Sequence, residues 1–197
     1  QAEAGIAMGV TNNIARSGDI ILALMLQTGT PFNPVDKKTF SFNQFRKETG
    51  TEELKYPGIN ALEFFTAFAK NNDNNKWSYK SPNNIQAFAD GKVAMILGYS
   101  YMIPQIKKLN PDLAFKIAPF PQITGAPVNI TLANYWGFAV SRNSKNKTLA
   151  WDFLKFLSKS GGMSQYLTAA DKPSPFQKSS GGSDKAFETQ KNYAKTI

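Results

Sequence analysis

The sequence of 197 residues contains no cysteine and no histidine. Without cysteine there are no disulfides and no thiol nucleophiles, and without histidine there is no imidazole base. The two absences together remove the most common ligands of transition metals. Any chemistry is left to carboxylates, lysines and hydroxyls. The adjacent acids Glu52 and Glu53 point apart in either a strand or a helix, so they form no acid–base pair. We therefore predict a protein with no metal, no other cofactor and no catalytic activity.

Arginine is also scarce, although the formal net charge is +9. It occurs at Arg16, Arg46 and Arg142, and the lysines are scattered as single residues and pairs. A nucleic-acid interface usually concentrates basic residues on one face and uses arginine to read bases and phosphates. We therefore expect a basic, solvated surface and no nucleic-acid partner. The chain also lacks an apolar run of the roughly 18 residues that a membrane-spanning helix needs.

Predicted strands and helices alternate along the chain. The apolar run 5–11 predicts a strand that leads into a polar loop, and Ser17 is placed to cap the buried helix that follows. Pro57 suits the first turn of a second helix, and the run 93–97 predicts a buried strand. This alternation is typical of an α/β fold with a mostly parallel sheet flanked by helices.

The later elements can be predicted in more detail. In the helix after Pro57, apolar residues at spacings of three predict a buried face made of Ile59, Leu62, Phe65 and Phe68. Extended segments are predicted at 115–121 and 132–141. Ser144 is placed to cap an amphipathic helix that Gly161 and Gly162 would end.

Aromatic and polar residues meet where predicted strands end. The stretch "GKVAMILGYSY", residues 91–101, ends in Tyr99, Ser100 and Tyr101. Two tyrosines spaced by two point to one face of an extended chain, where their rings could lie side by side as a flat platform. Such a platform covers the apolar face of a sugar ring, while amides and hydroxyls match the sugar hydroxyls.

Other strand ends carry similar residues. Asn134 and Trp136 lie beside Tyr135, Asn12 follows the first strand, and Trp77 precedes Tyr79 by two. Each cluster alone is also compatible with packing in the core. Because ligands of open α/β sheets collect beyond the carboxyl ends of the strands, we predict a binding site formed by Tyr99, Ser100, Tyr101, Asn134, Trp136 and Asn12.

Three segments resemble a known family. "AFADGKVAMILGYSY", "FKIAPFPQITGAP" and "NYWGFAVSRNSKNKTLAWDFLKFLSKSGGMSQYL" are similar to the second half of extracellular solute-binding proteins of ABC importers, the family that includes maltose-binding protein. The resemblance implies a two-lobed α/β fold of the periplasmic-binding-protein type (type II) that closes on its ligand like a hinge. It implies that residues 1–128 form the second lobe, and that 129–197 cross over and partly return to the first. Since the sequence begins without an initiator methionine, we expect a C-terminal fragment of a longer protein.

The resemblance also implies a function. A member of this family binds a small solute, in the first place a sugar or oligosaccharide, in the cleft between its lobes and delivers it to an ABC transporter permease. It implies that one of Tyr99 and Tyr101 stacks on the ligand, and Trp136 matches a further cleft position. It further implies a monomer located outside the cytoplasm, in the periplasm or at the cell surface, with a lipid anchor in the full-length protein. Two alternatives remain at this point: a fragment of a carbohydrate-active enzyme and a basic nucleic-acid-binding domain.

Overall fold

A computed structural model describes residues 2–32, 41–47, 54–70, 76–132, 134 and 137–169. In chain order the elements are β1 (Ala4–Ile6), α1 (Ser17–Gln27), β2 (Arg46–Lys47), β3 (Leu54–Lys55), α2 (Pro57–Ala67), α3 (Asn84–Ala89), β4 (Val93–Met95), α4 (Met102–Leu109), α5 (Lys147–Ser158) and α6 (Ser160–Ala169). The predicted alternation of strands and helices is confirmed for the first half of the chain. No strand is present at 115–121, nor in the described residues of 132–141, so these two strand predictions are wrong.

The first and the fourth strand form a parallel pair. β1 pairs with β4, with Ala4 opposite Val93 and Ile6 opposite Met95. β2 and β3 form a separate antiparallel pair. A parallel pair needs a long crossover connection, and here that connection contains α1, α2 and α3. The predicted strand 93–97 is therefore confirmed as a sheet member over Val93–Met95.

The chain divides into two compact units. The first comprises residues 1–114 and 120–133, and the second comprises 115–119 and 134–197. The core of the first unit lies between the parallel strands and the helices. Its buried members are Ala4, Ala7, Met8, Ile14, Ile20, Phe65, Trp77, Ala87 and Val93. In the second unit, α5 packs with α6, and α5 has no buried residue. The assignment of 1–128 and 129–197 to two lobes stays a prediction.

The buried face of α2 differs from the predicted one. Phe65 is buried and Phe68 is half-buried, but Ile59 and Leu62 are exposed, and Ala61 lies on the buried side instead. Three residues advance about 300° around a helix, so a set spaced by three drifts by about 60° at each step. The predicted face was wrong for Ile59 and Leu62 because it followed that drift away from the core.

Both predicted serine caps are wrong. Ser17 is the first residue of α1, its hydroxyl donates a hydrogen bond to the Thr11 carbonyl at 3.3 Å, and the N-cap position is taken by Arg16. Ser144 lies ahead of α5, where Asn146 takes the N-cap position and its N–H donates to the Ser144 hydroxyl at 3.3 Å. α1 thus begins one residue earlier than the sequence pattern indicates, and α5 begins two residues later.

The glycine pair does not end a helix. α5 ends at Ser158, and Lys159 takes an extended backbone with φ −76° and ψ 145°. Gly161 and Gly162 then lie inside α6. The prediction was wrong because an extended lysine makes the break, after which the chain becomes helical again despite the low helix propensity of glycine.

Candidate functional site

The candidate site lies at the carboxyl edge of the parallel pair β1 and β4. The chain that leaves β1 passes through a polar loop and enters α1, and the chain that leaves β4 turns into α4. Because parallel strands end at the same edge of a sheet, the two connections lie next to each other. The residues discussed next all belong to the first unit.

Tyr99 and Tyr101 form a stacked aromatic pair. Their ring centroids are 6.0 Å apart and the ring planes meet at 14°. Tyr99 is half-buried, whereas 47% of Tyr101 is exposed. The rings therefore face each other instead of lying side by side as a flat platform. The reason is local, because Tyr101 has a helical backbone (φ −64°, ψ −15°) at the start of α4 and not an extended one.

The turn that carries the two tyrosines is fixed by the start of α4. The Met102 N–H donates to the Tyr99 carbonyl at 3.0 Å, and the Ile103 N–H donates to the Ser100 carbonyl at 3.1 Å. A Cβ at Gly98 would overlap Sδ of Met102, so glycine at this position allows the buried Met102 to pack against the backbone. Ser100 is exposed between the rings. The rotation of the tyrosines is thus set by a short, well-bonded turn.

A charged pair from the start of α1 contacts the tyrosines. The Tyr99 hydroxyl donates to Asp19 Oδ2 at 2.7 Å. Arg16 Nε donates to the same oxygen at 2.8 Å, and Arg16 Nη2 lies 2.6 Å from it. The guanidinium carbon also lies 5.6 Å from the centroid of the Tyr99 ring, within the range of a cation–π contact. Four side chains from two connections therefore form one network, which we call the edge cluster: Arg16, Asp19, Tyr99 and Tyr101.

The electrostatics of the edge cluster centre on Arg16. The hydrogen bond that Arg16 donates to Asp19 raises the pKa of the Arg16 guanidinium above its ordinary value. The charge of Asp19 and, to a smaller degree, Tyr99 and Tyr101 also raise this pKa, whereas desolvation lowers it. Arg16 stays positively charged, and the adjacent carboxylate balances that charge. Asp19 lies in the first turn of α1, where the helix dipole favours a negative group.

The sequence patterns did not single out Arg16 and Asp19 as site residues. The signal available was weak: one of the three arginines in a polar loop between a strand and a buried helix, followed by an acid three residues later. Pairs at this spacing are common on helix surfaces. Only the tertiary contact between α1 and the turn after β4 brings them to the tyrosines.

Asn12 and Asn13 play different parts. Asn12 is exposed, and its amide donates to the Tyr79 carbonyl at 3.2 Å. Asn13 is buried; its amide donates to the carbonyls of Ser78 and Ser81, each at 2.8 Å, and its Oδ1 accepts from Trp77 Nε1 at 3.2 Å. Trp77 is 3% exposed and belongs to the core. The aromatic cluster at 77–79 thus supports the loop after β1 through Asn13.

Sequence comparison identifies the family. The profile of the bacterial extracellular solute-binding proteins matches residues 22–164. This chain belongs to that family. The match includes Tyr99, Ser100 and Tyr101, and it begins after Arg16 and Asp19. None of the curated proteins matches the sequence.

Structure comparison agrees with this assignment. The fold of this solute-binding protein is similar to that of an ABC transporter solute-binding protein from Thermotoga lettingae TMO, solved by crystallography with bound α-D-tagatose. The TM-score is 0.55 at 19% sequence identity, over 87% of this chain and 41% of the Thermotoga chain. The chain therefore spans less than half the length of this structural neighbour. The predicted α/β periplasmic-binding-protein-like fold is confirmed.

Two predicted site residues of this solute-binding protein lie apart from the edge cluster in the sequence. Asn134 is exposed and belongs to the second unit. Trp136 lies outside the described residues. Their place in a common site with Tyr101 stays a prediction.

Two further findings concern metals and membranes. Across the described residues of this solute-binding protein, no group of three or more acidic, histidine or cysteine side chains is arranged to hold a metal ion. Among the helices that the structure describes, none has the length and apolar character required to cross a bilayer.

Proposed function

We propose that this protein is the solute-binding component of an ABC importer and that its ligand is a sugar or an oligosaccharide, which it binds without converting it. The observation that carries the proposal is the edge cluster, in which the exposed ring of Tyr101 stands beside hydrogen-bonding groups at the carboxyl edge of two parallel strands. An aromatic face next to hydrogen-bond donors and acceptors suits a ligand with apolar ring faces and polar rims. The sugar bound to the Thermotoga protein supports the same ligand class.

Within this proposal the two tyrosines have different roles. Tyr99 is occupied by Tyr101, by Asp19 and by the Arg16 guanidinium. Tyr101 has the more exposed ring, so Tyr101 is the residue we propose to stack on the ligand, with Tyr99 as its support. Ser100, Asn12, Asn134 and Trp136 are proposed as further contacts.

The proposal extends to the whole protein as the family resemblance implies it. The second lobe comprises residues 1–128, and 129–197 return towards the first lobe, so that a ligand held at the edge cluster lies in the cleft between lobes. The protein acts as a monomer outside the cytoplasm, attached by a lipid anchor or free in the periplasm, and its macromolecular partner is the permease.

Calorimetric titration with α-D-tagatose, D-glucose and maltose tests the proposal. We expect at least one of these sugars to bind, and Tyr101→Ala to weaken that binding by roughly 1 to 3 kcal/mol, about 5- to 100-fold in Kd, because a stacked aromatic face is lost. Tyr56→Ala is a matched control, since Tyr56 is 40% exposed and its ring also contacts one other aromatic, Phe45. Equal affinities in wild type and Tyr101→Ala would remove Tyr101 from the site, and a wild type that binds none of the sugars would refute the proposed ligand class.

A further inference from the structure

We infer that the ion pair of Arg16 and Asp19 is the polar arm of the tyrosine site, and that it selects uncharged polyhydroxylated ligands over their anionic counterparts. The inference rests on the proposed function, and it states which ligands the same site prefers. It concerns two residues that precede the family match at 22–164.

The first argument is access. The side chain of Arg16 is 39% exposed and that of Asp19 is 23% exposed, so both are open to solvent beside the tyrosine pair. The contacts with Asp19 engage Nε and Nη2 of Arg16. A guanidinium carries five N–H donors in all, more than these contacts with Asp19 use, and such donors suit a sugar hydroxyl.

The second argument is charge balance. One carboxylate oxygen, Asp19 Oδ2, accepts from Arg16 and from the Tyr99 hydroxyl at once. The pair is therefore neutral as a unit, and it places the N–H donors of arginine beside the carboxylate oxygens of aspartate. An uncharged sugar gains these hydrogen bonds. A uronate gains them from Arg16 only against the repulsion of the adjacent Asp19 carboxylate, which removes the advantage that an isolated arginine would give an anion.

The third argument comes from the backbone and is independent of the contacts. Arg16 has φ 62° and ψ 30°, a left-handed conformation, and among the described residues it is the non-glycine residue with positive φ. Glycine or asparagine adopts this conformation more easily than arginine. Strained residues of this kind cluster at ligand-binding sites, where the surrounding structure holds them. Here the left-handed backbone conformation of Arg16 is the one in which its guanidinium lies over Tyr99 and against Asp19.

The fourth argument is rigidity. The Tyr99 hydroxyl holds Asp19, Asp19 holds Arg16, and Tyr99 stacks on Tyr101. The polar arm and the aromatic wall are therefore fixed relative to each other before any ligand arrives. A preorganised arrangement loses little conformational freedom on binding and discriminates well between ligands.

Two variants test the inference in the full chain, with calorimetric titration of the neutral sugars α-D-tagatose, D-glucose and maltose and of the anions D-glucuronate and D-galacturonate. Arg16→Gly relieves the backbone strain and removes the donors. We expect its affinity for the bound neutral sugar to fall about tenfold or more while its thermal midpoint stays level or rises. Arg142→Gly, a change of the same charge at an exposed residue of the second unit, should leave the affinity unchanged.

Asp19→Asn keeps an oxygen that can accept from Tyr99 but removes the negative charge. We expect this variant to gain affinity for a uronate by about tenfold relative to the neutral sugar. If Arg16→Gly folds poorly, Arg16→Asn serves instead, because asparagine tolerates the left-handed conformation.

The outcomes separate the two proposals. If neutral sugars bind, Tyr101→Ala weakens them, and neither Arg16→Gly nor Asp19→Asn changes any affinity, the polar arm is refuted and the sugar-binding function stands. If wild type prefers a uronate to every neutral sugar, the inferred selectivity is wrong. If wild type binds none of the five sugars, the proposed function fails first.

Discussion

Replacing Asn13 by alanine should destabilise the first unit strongly. Asn13 is 7% exposed and makes three hydrogen bonds, two donated to the carbonyls of Ser78 and Ser81 and one accepted from Trp77 Nε1. At about 1 kcal/mol net for each bond, their loss amounts to roughly 3 kcal/mol. The buried indole N–H would also be left without an acceptor, which adds about 1 to 2 kcal/mol. The expected loss of about 4 to 5 kcal/mol is a large part of the roughly 5 to 15 kcal/mol by which a typical domain is stable.

Urea denaturation followed by far-UV circular dichroism measures this loss. With a slope of roughly 1 to 3 kcal/mol per molar urea, the midpoint should fall by about 1 to 5 M. Asn12→Ala is a matched control at the adjacent position, because Asn12 is exposed and donates one bond, at 3.2 Å; we expect it to cost about 0.5 kcal/mol. Trp77→Phe should cost less in the Asn13→Ala background than in wild type, because the shared bond is already gone. Equal stabilities for the two asparagine variants would refute the reasoning.

Three other predictions concern a close backbone contact, pH and the edge cluster. Gly9→Ala should prevent stable folding, because Gly9 has φ +102° and a Cβ would overlap the backbone N of Ala69. The control Gly91→Ala should cost about 1 kcal/mol of stability, because Gly91 has φ +72° but open space around it. Similar thermal midpoints for the two variants would contradict this prediction. Ligand affinity should stay flat between about pH 6 and pH 9, because the sequence has no histidine and the pKa of Arg16 is raised. The contribution of Arg16 is fully present below its unfolded pKa and is lost only as the pH rises through the higher folded value, so an affinity that titrates near neutral pH would show another group in the site. Tyr99→Phe removes the hydroxyl that donates to Asp19 at 2.7 Å and should weaken sugar binding several-fold in titration, with a smaller change in the thermal midpoint; an unchanged Kd would show that Asp19 needs no support from Tyr99.

The sequence predicted β1, α1, α2 and β4 in their order along the chain, but not the short strands β2 and β3. Pro57 opens α2 as predicted. Asn83, which was not predicted as a cap, caps α3 with its side chain by accepting from the Ile85 N–H at 3.0 Å. These signals are local, so the sequence around them contains what decides them. The predicted caps of α1 and α5 were wrong because the nearest serine was taken as the cap, whereas Arg16 and Asn146 occupy those positions.

In the candidate site, too, features set by neighbouring residues were predicted, and features set by tertiary contacts were not. Tyr99 and Tyr101 were predicted from a strand end, and their proximity is confirmed. Their stacked arrangement was not predicted, because it depends on where α4 begins. Arg16 and Asp19 could not be found by pattern, since Asp19 and Tyr99 lie far apart in sequence and meet only once β1 and β4 have paired.

The pairing of β1 with β4 has a consequence for folding during synthesis on the ribosome. Ala4 leaves the ribosome well before its partner Val93, which follows only after α1, α2 and α3 have been made. At about 5 to 20 residues per second, the interval is on the order of 5 to 20 s. During that time the apolar segment that contains Ala7 and Met8, both buried in the finished core, has no sheet to join. We expect the nascent chain to be a substrate for factors that hold extended apolar segments, and its final tertiary structure to form late in synthesis.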